Sequence, residues 1–349
     1  MSIISSRANA YHDLRLFLID CSGQIAYVKQ MNIQNTSKPS LILLCGPTAS
    51  GKTAVSVQLA KLFGGEIVGA DSMQIYRRMD IGTATPTPAE QQQISHHMIN
   101  IIDPEDHFDI VHYQKMASGV ISQILARQHI PFVVGGTGLY IKALLHGIFE
   151  SPELPAAFRL RLRERLEEEG NVALHEELQK KDPISALKIH PNDRYRILRA
   201  LETVQITGET LFDRQNKHQF HPEFYRTLKI GLLLDRELLY DRIDQRVDQM
   251  VATGFSEEVR SLLESGVSPT AKSMQSIGYR HAVMFLQGIL SADEWIEKMK
   301  QDTRRYAKRQ MTWFRADPQI HWVHPGDTES MANLIRTFLQ TETDKQENA

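Results

Sequence analysis

Cysteine is almost absent from this chain of 349 residues, which has only Cys21 and Cys45. Two cysteines exclude a disulfide framework and a cysteine-based zinc site, and they fit a reducing cytosol. No apolar run approaches the ~20 residues that a membrane helix needs, and residues 14 to 20 are too short and too interrupted for a signal peptide. The net charge is only -2, so any contact with a polyanion must come from local patches.

A glycine-rich octet, Gly46-Pro-Thr-Ala-Ser-Gly-Lys-Thr53, fits the phosphate-loop pattern G-x-x-x-x-G-K-[ST]. The apolar run 41–45 before it predicts a buried strand, and residues 54–63 after it have helical spacing, which is the context that the motif needs. Its glycines let backbone N–H groups turn toward an anion, and the helix N-terminus adds unpaired donors. We therefore predict a di- or triphosphate site in which Lys52 reaches the terminal phosphate and Thr53 holds Mg²⁺. The alternative is a chance match in a glycine-rich turn.

Strand and helix patterns alternate from residue 41 to about 140, with strands over 66–70 and 131–134 and a helix over 110–128. This alternation predicts a parallel sheet flanked by helices, with ligands at the carboxyl ends of the strands. Amphipathic helical patterns then cover 155–170, 172–181 and 194–207. A strand over 228–234 returns to the sheet, helices follow over 237–253, 256–265, 274–287 and 292–315, and a last strand covers 320–323. We predict an α/β fold with a P-loop NTPase-like parallel sheet and an all-helical insertion domain.

The predicted domain limits follow from these patterns. The catalytic core covers 39–150 and 223–325, the helical insertion 151–222, and a C-terminal helix with a polar, frayed tail 326–349. Residues 1–38 show no sustained period, so we expect an extension that is disordered or dispensable, with Met31 as a natural start for the phosphate-loop domain. The competing hypothesis is a hairpin formed by residues 14–19 and 25–28, which would have to dock on the sheet edge to be stable.

Asp71 ends the second predicted strand and should point into the ligand crevice. A carboxylate there could act as a general base or as a hydrogen-bond acceptor for substrate. The alternative, a helix N-cap, is equally compatible with the sequence. The third strand ends in Gly135-Gly-Thr-Gly138 and not in the aspartate that helps NTPases bind Mg²⁺. These glycines permit close approach of the backbone to a ligand, to which Thr137 could hydrogen-bond; an ordinary strand-to-helix turn is the alternative.

Arginine pairs and clusters supply the remaining candidates. Arg242 and Arg246 are one turn apart and could hold one phosphate, although a solvated face paired with neighbouring aspartates is the commoner fate of such a run. Two further basic clusters suit an RNA backbone with unstacked bases, or else a basic helix face over buried aromatics. The first cluster consists of Arg194, Arg196 and Arg199, and the second of Arg304, Arg305, Lys308 and Arg309 before Trp313, Phe314 and Arg315. The 14 histidines show no metal-ligand pairing.

Taken together, the motifs over residues 39 to 325 resemble those of the tRNA dimethylallyltransferases. Besides the phosphate loop, the resemblance rests on Asp71-Ser-Met-Gln-Ile-Tyr76, Met79-Asp-Ile-Gly-Thr-Ala84, Gly135-Gly-Thr-Gly-Leu-Tyr140, His190-Pro-Asn-Asp193, Gly254-Phe-Ser-Glu-Glu-Val259, Ser276-Ile-Gly-Tyr-Arg280 and Ala307-Lys-Arg-Gln-Met-Thr-Trp313. The resemblance implies Mg²⁺-dependent transfer of the dimethylallyl group of dimethylallyl diphosphate to N6 of adenosine 37, beside the tRNA anticodon. The family's helical insertion grips the anticodon stem-loop. The chain lacks the zinc-finger extension of eukaryotic relatives, so it is similar to the bacterial type.

Matching motifs carry the family's site residues onto this chain. The resemblance implies catalytic roles for Asp71, Thr48 and Arg246, and a metal contact for Thr53. The diphosphate would lie on Gly46, Pro47, Thr48, Ala49, Ser50, Gly51, Lys52, Thr53, Arg242 and Arg246. The tRNA would contact Asp71, Ser72, Met73, Gln74, Thr137, Arg159, Tyr195, Arg196, Ile197, Leu198, Arg199, Gln275, Ser276, Ile277, Gly278, Tyr279 and Arg280. We expect a monomer that does not associate with membranes. A P-loop kinase of a small metabolite and a non-catalytic RNA-binding protein are the alternative functions.

Overall fold

The computed structural model describes residues 38–148, 156–210, 213 and 223–347, together with four residues near the N-terminus. The chain divides into two compact units, residues 1–37 and 38–349. In the first unit, β1 (Leu18–Ile19) pairs antiparallel with β2 (Ile25–Ala26), which is the pairing that the hairpin hypothesis expects. The other residues of the predicted extension up to 37 lie outside the described residues, and the dispensability of this segment stays a prediction.

A parallel sheet of six strands organises the second unit, which confirms the predicted α/β fold. Its strands are β3 (Ser40–Cys45), β4 (Gly65–Ala70), β5 (His96–His97), β6 (Ile130–Gly135), β7 (Arg226–Leu232) and β8 (His321–Val323), in the order β5-β4-β6-β3-β7-β8. Cys45 at the end of β3 is in register with Gly135 and Gly231, and Ala70 at the end of β4 is also in register with Gly135. The loops after β3, β4 and β6 therefore leave from one edge of the sheet.

Helices cover both faces of this sheet. In chain order they are α1 (Lys52–Leu62), α2 (Pro88–Gln93), α3 (Ile110–Ala126), α4 (Gly138–His146), α5 (Ala156–Lys181), α6 (Pro183–Lys188), α7 (Arg194–Thr207), α8 (Arg236–Ala252), α9 (Phe255–Glu264), α10 (Tyr279–Leu286), α11 (Ala292–Arg315) and α12 (Thr328–Glu347). Side chains of β3 alternate between the two cores: Leu41 and Leu43 pack on one face, and Ile42 and Leu44 on the other. This alternation on a strand buried on both sides is why its sequence is a continuous apolar run.

Helices α5, α6 and α7 have an apolar core of their own, which includes Leu162, Leu174, Leu178 and Ile197. The chain bends at Gly170, whose φ of 84° interrupts α5 where the sequence predicts a break between two helices. Two aspartates cap the next helices: the Asp182 carboxylate accepts from the Ser185 amide at 3.0 Å, and the Asp193 carboxylate from the Arg196 amide at 3.1 Å. The predicted boundaries of the insertion fall at residues outside the described ones.

Two parts of the fold differ from the sequence prediction. The helix predicted over 274–287 begins only at Tyr279, because Gly278 has a φ of 91° and the ten residues before α10 form turns. Helix α12 continues to Glu347, whereas the sequence predicts a frayed tail after Thr341. Among the described residues, none of the helices combines the length and apolarity that crossing a bilayer requires.

Candidate active site

The phosphate loop connects β3 to α1 and surrounds the Lys52 side chain. Gly46 has a φ of 149°, and a Cβ at that position would lie 3.1 Å from the Leu232 carbonyl oxygen, so the tight turn requires glycine. The Lys52 ammonium donates to the carbonyl oxygens of Gly46 at 3.1 Å and Pro47 at 2.7 Å. Ser50 Oγ is fully buried and has no hydrogen-bond partner in the described part of the chain. Strand, loop and helix follow one another as the motif requires for anion binding.

A cavity of about 720 Å³ opens beside this loop. The loop, the turn after β4, helix α8, the turns before α10 and helix α11 all contribute to its walls. The predicted site residues that line it are Thr48, Ala49, Gly51, Lys52, Thr53, Asp71, Ser72, Met73, Gln74, Arg242, Arg246, Gln275, Ser276, Ile277 and Arg280. The fold thus brings together most of the predicted diphosphate-binding residues and most of the predicted tRNA contacts outside the helical insertion. These residues span more than 200 positions of the sequence.

Some of the predicted site residues of the catalytic core do not line the cavity. Gly46, Pro47 and Ser50 belong to the loop but do not line the cavity. Thr137 is also outside it, and its hydroxyl accepts from the Ser72 amide at 3.1 Å, so it holds the turn after β4. The Tyr279 side chain is 1% exposed and donates to Glu258 at 2.6 Å, while Gly278 packs against Phe255 and Met299. Because these groups are enclosed, Gly278 and Tyr279 support the wall and do not present a surface to a partner.

The predicted tRNA residues of the helical insertion do not line this cavity. Arg159 is half-buried on α5, and Leu198 and Arg199 are half-buried on α7. Tyr195 is 74% exposed, whereas Ile197 is fully buried in the core of the insertion. The Ile197 side chain therefore packs helices together and has no surface left for RNA. Arg196 is exposed and lines a second cavity.

Asp71 is at the same time a turn cap and a cavity-facing carboxylate. Its Oδ1 accepts from the Met73 amide at 2.8 Å and the Gln74 amide at 3.4 Å, which fixes the orientation of the carboxylate. The residues that follow form turns and not a helix. The second oxygen, Oδ2, has no hydrogen-bond partner among the described residues and is available to a ligand. The two hypotheses for Asp71 are therefore compatible: one oxygen caps, and the other can accept a proton.

Arg242 and Arg246 turn toward the cavity, and the neighbouring aspartates of α8 turn away from it. Asp244 pairs with Arg304 at 2.6 Å and Asp248 pairs with Lys300 at 2.6 Å, both partners being on α11. The alternative of a solvated face in which the aspartates neutralise the arginines is therefore wrong. The reason is packing: α11 lies against the acidic face of α8 and supplies the cations for it.

Burial makes this site electrostatically poised for an anion. Burial, together with the nearby Arg246 cation, lowers the pKa of Lys52 to about 8, although Asp71 opposes the change. Burial also lowers the pKa of Arg246. Both cations are thus held in a place where their charge is unfavourable without a counter-ion. A bound phosphate group would remove that penalty.

Gln310 is a residue of the site to which sequence reasoning assigned no role. Its carbonyl oxygen accepts from the Thr48 amide at 2.9 Å, and its amide nitrogen donates to the Gly136 carbonyl at 2.9 Å. A Cβ on Gly136 would lie 2.2 Å from that nitrogen, so any larger residue there would displace the Gln310 amide from this position. Gln310 therefore ties the phosphate loop to the end of β6. It belongs to the motif of residues 307–313, but its position in the sequence does not indicate these partners.

Apolar side chains and one half-buried tyrosine complete the cavity wall. Val247, Met250 and Met299 also line it, and the sequence analysis did not single them out. Burial raises the pKa of Tyr306, another lining residue, to about 12, so this phenol stays neutral. In the described part of the chain, no group of three His, Cys, Asp or Glu side chains could hold a metal ion. A Mg²⁺ ion here would need ligand oxygens besides the Thr53 hydroxyl.

Comparison with known proteins identifies the family. The family model for IPP transferases matches residues 74–317. A protein of Syntrophus aciditrophicus named tRNA dimethylallyltransferase 2 is 47% identical over 305 residues, which cover 87% of this chain and 98% of the relative. The chain belongs to the tRNA dimethylallyltransferase family. This result confirms the resemblance inferred from the motifs.

Solved structures of tRNA dimethylallyltransferases share the fold. The tRNA isopentenylpyrophosphate transferase of Bacillus halodurans aligns with a TM-score of 0.67 and 38% identity, covering 89% of this chain and 100% of that one. A eukaryotic dimethylallyltransferase acting on tRNA aligns with a TM-score of 0.71 and 30% identity, covering 82% of this chain and 74% of that one. The similarity therefore extends over most of this chain.

Proposed function

We propose that this protein transfers the dimethylallyl group of dimethylallyl diphosphate to N6 of adenosine 37 in tRNA. The products are N6-dimethylallyladenosine and diphosphate. One observation carries the proposal: the phosphate loop, two arginines without acidic partners and the free oxygen of Asp71 face a single cavity of about 720 Å³. A donor anion and a nucleophile that must lose a proton can therefore be held in the same space. Family membership points to the same reaction.

The cations of the cavity suit a diphosphate leaving group. When the C–O bond to the allylic carbon breaks, negative charge develops on the diphosphate, and Lys52 and Arg246 are placed to stabilise it. Gln310 fixes the Thr48 amide at the start of the same loop. This chemistry needs no γ-phosphate, and it does not use the strand-end aspartate that β6 lacks. Val247, Met250 and Met299 offer an apolar wall for the five-carbon tail.

Mg²⁺ fits this site as an ion shared between protein and substrate. Thr53 lines the cavity at the start of α1, where its hydroxyl could contact the ion beside the diphosphate oxygens. Mg²⁺ commonly binds through one or two protein groups plus phosphates and waters, which agrees with the lack of a carboxylate cage among the described residues. When bound, the ion would neutralise part of the diphosphate charge.

Asp71 is the proposed proton acceptor. The exocyclic amine of adenine is a weak nucleophile, so it needs positioning and removal of a proton as the N–C bond forms. Oδ1 is held by two backbone amides, which leaves Oδ2 to accept a hydrogen bond from N6 and then its proton. The adenine must leave its stack to enter the cavity. Ser72, Met73, Gln74, Gln275, Ser276, Ile277 and Arg280 are the proposed contacts of the entering nucleotide.

The helical insertion is the proposed grip on the anticodon stem-loop. Tyr195, Arg196 and Arg199 on α7 and Arg159 on α5 supply exposed or half-buried groups for RNA. We further propose that the protein acts as a monomer, because the residues proposed for both substrates come from one chain.

The test is an incubation with labelled dimethylallyl diphosphate, labelled ATP and unmodified tRNA, followed by analysis of which label moves. Transfer of the allylic label to tRNA that has adenosine at position 37, and none to a transcript with guanosine there, is the expected result. Phosphoryl transfer from ATP to a small molecule would replace the proposal with the kinase alternative. Binding of tRNA without any transfer would support the non-catalytic RNA-binding alternative.

A further inference from the structure

A second cavity of about 1020 Å³ lies beside the first and has no role in the proposed reaction. Helix α4, the last two turns of α11 and the segment leading to β8 form most of its wall. Arg309 is the one described residue that lines both cavities. A ligand that occupied both spaces would therefore pass the Arg309 guanidinium.

Trp313 presents an aromatic ring to this second cavity. The ring lies directly on Gly138 at the start of α4, where a Cβ would be 2.2 Å from the indole nitrogen. Only glycine at this position allows the contact, so one side of the ring is fixed against the backbone. The residue nevertheless stays 44% exposed and lines the cavity. A large aromatic side chain that is held in place and still exposed is a stacking surface for a flat ligand.

The charges around the second cavity favour an anion. Its two acidic residues, Glu223 and Asp317, both pair with the buried Lys229, at 2.5 Å and 2.9 Å, and the single lysine charge balances one of them. The wall also contains four further cationic side chains, those of Lys142, Arg196, Lys308 and Arg309, so positive charge is in excess. Lys308 and Arg309 are exposed, and neither has a carboxylate partner among the described residues. An aromatic platform beside two uncompensated cations suits a base attached to a phosphate.

We propose that the second cavity binds a nucleotide that neighbours the acceptor adenosine in the same RNA strand. Its base stacks on Trp313, and the connecting phosphates contact Lys308 and Arg309. The inference rests on the proposed function, since it takes the acceptor base to occupy the first cavity. Because Arg309 borders both cavities, a phosphodiester link between two splayed nucleotides fits the geometry better than a free nucleotide does.

The experiment measures binding of an anticodon stem-loop RNA at several salt concentrations, alongside single-turnover prenylation. Trp313→Ala should weaken RNA binding by roughly five- to a hundredfold at every salt concentration, the range expected for removal of a stacking ring. Trp313→Phe should restore binding to within a few-fold of the wild type. Lys308→Ala should reduce the slope of log affinity against log salt by about 0.7, as expected for one phosphate contact to a single strand.

Matched measurements separate this inference from the proposed function. Lys298→Ala removes another exposed lysine of α11 that lines neither cavity, and it should leave the affinity and the salt slope unchanged. Wild-type prenylation together with unaltered RNA binding by Trp313→Ala would overturn the second site alone. A Trp313→Ala variant with a normal dissociation constant and a lower rate at saturating RNA would also overturn it. Absence of prenylation by the wild type, with RNA binding still dependent on Trp313, would overturn the proposed reaction and not the nucleotide site.

Discussion

Two arginine-bearing helices of this protein, α7 and α8, use the same side chain in opposite ways. On α7, Arg194 pairs with Glu167 at 2.5 Å, Arg196 with Asp193 at 3.4 Å and Arg199 with Glu202 at 2.7 Å. On α8, Arg242 and Arg246 have no carboxylate partner among the described residues, although three aspartates stand beside them in the sequence.

The difference between the two helices indicates which arginines are available to bind an anionic ligand. A paired arginine at the surface contributes little to stability, about 0–1 kcal/mol. A partly buried arginine without a partner is unfavourable, as the lowered pKa of Arg246 indicates. The unfavourable free energy of an unpaired, partly buried charge is tolerated at sites where a bound ligand offsets it. The unpaired charges of the first cavity therefore mark the site that holds the diphosphate, whereas the paired arginines of α7 are already balanced within the protein, and this contrast is our central claim.

Asp71→Asn should have the largest effect. The variant retains an oxygen that can accept from the Met73 amide, but it cannot take the proton from the nucleophile. Removal of a general base typically costs ~10²–10⁴-fold in rate. Single-turnover prenylation should fall by that factor, with RNA affinity changed by no more than a few-fold. Asp103→Asn removes an exposed carboxylate paired with Arg77 and is the control. A rate near that of the wild type would reduce Asp71 to a turn cap.

The buried carboxylate of Glu66, which is paired with cations, should affect stability and not activity when it is replaced. Glu66 is 6% exposed and accepts from Arg127, His97 and His129. Burial raises its pKa, but these hydrogen bonds outweigh burial and lower the pKa to about 2. Glu66→Gln should cost about 1.5–3 kcal/mol of unfolding free energy, since it removes the charge from a buried acceptor of several hydrogen bonds, although Arg127 and His129 are themselves about half exposed. Diphosphate affinity should not change, and loss of affinity without loss of stability would contradict the contrast.

The stabilising contribution of the Glu66 carboxylate should decrease at acid pH. Because its folded pKa is depressed, its stabilising contribution is complete above the ordinary glutamate pKa and is lost as pH falls toward 2. Denaturant unfolding of wild type and Glu66→Gln at pH 7 and pH 3 should therefore show a smaller difference at pH 3. Glu168→Gln, at an exposed position, should match the wild type at both pH values.

Because of Lys52, the affinity of the site for an anion should fall as the pH rises into the alkaline range. Its pKa is lowered to about 8, so raising the pH above 8 removes the positive charge from the empty site. Affinity for pyrophosphate should then fall by up to tenfold per pH unit, relative to Lys52→Arg, whose guanidinium stays charged. The comparison with Lys52→Arg cancels any titration of the ligand itself. Parallel pH profiles for the two proteins would show that the Lys52 ammonium does not titrate in this range.

The smallest effect is expected at the N-terminus. A chain that starts at Met31 should keep its melting temperature and its prenylation rate, because residues 1–30 offer no sustained apolar face to bury. Thermal unfolding of the two chains decides the matter. A fall of several degrees would mean that the paired strands β1 and β2 form part of the stable fold.

The parts of the structure that could be predicted are those set by local sequence. The phosphate loop, the central strands and the turn at Asp71 depend on glycines, apolar runs and neighbours within a few positions, and parallel strands place their ends at one edge. The direction in which Arg246 points could not be predicted, because it depends on α11 binding the aspartates of α8 from about 50 to 60 positions away. Gln310 was missed for the same reason, since its partners are Thr48 and Gly136.

The most direct test of the contrast is a calorimetric titration of pyrophosphate into Arg246→Ala and Arg199→Ala. Each variant removes one arginine of one helix, and only the first removes a cation without an acidic partner. Loss of charged hydrogen bonds of about 1.5–3 kcal/mol predicts a roughly ten- to hundredfold weaker affinity for Arg246→Ala. Arg199→Ala should bind pyrophosphate like the wild type. Equal affinities for the two variants would show that the unpaired arginine does not hold the anion, and the central claim would be wrong.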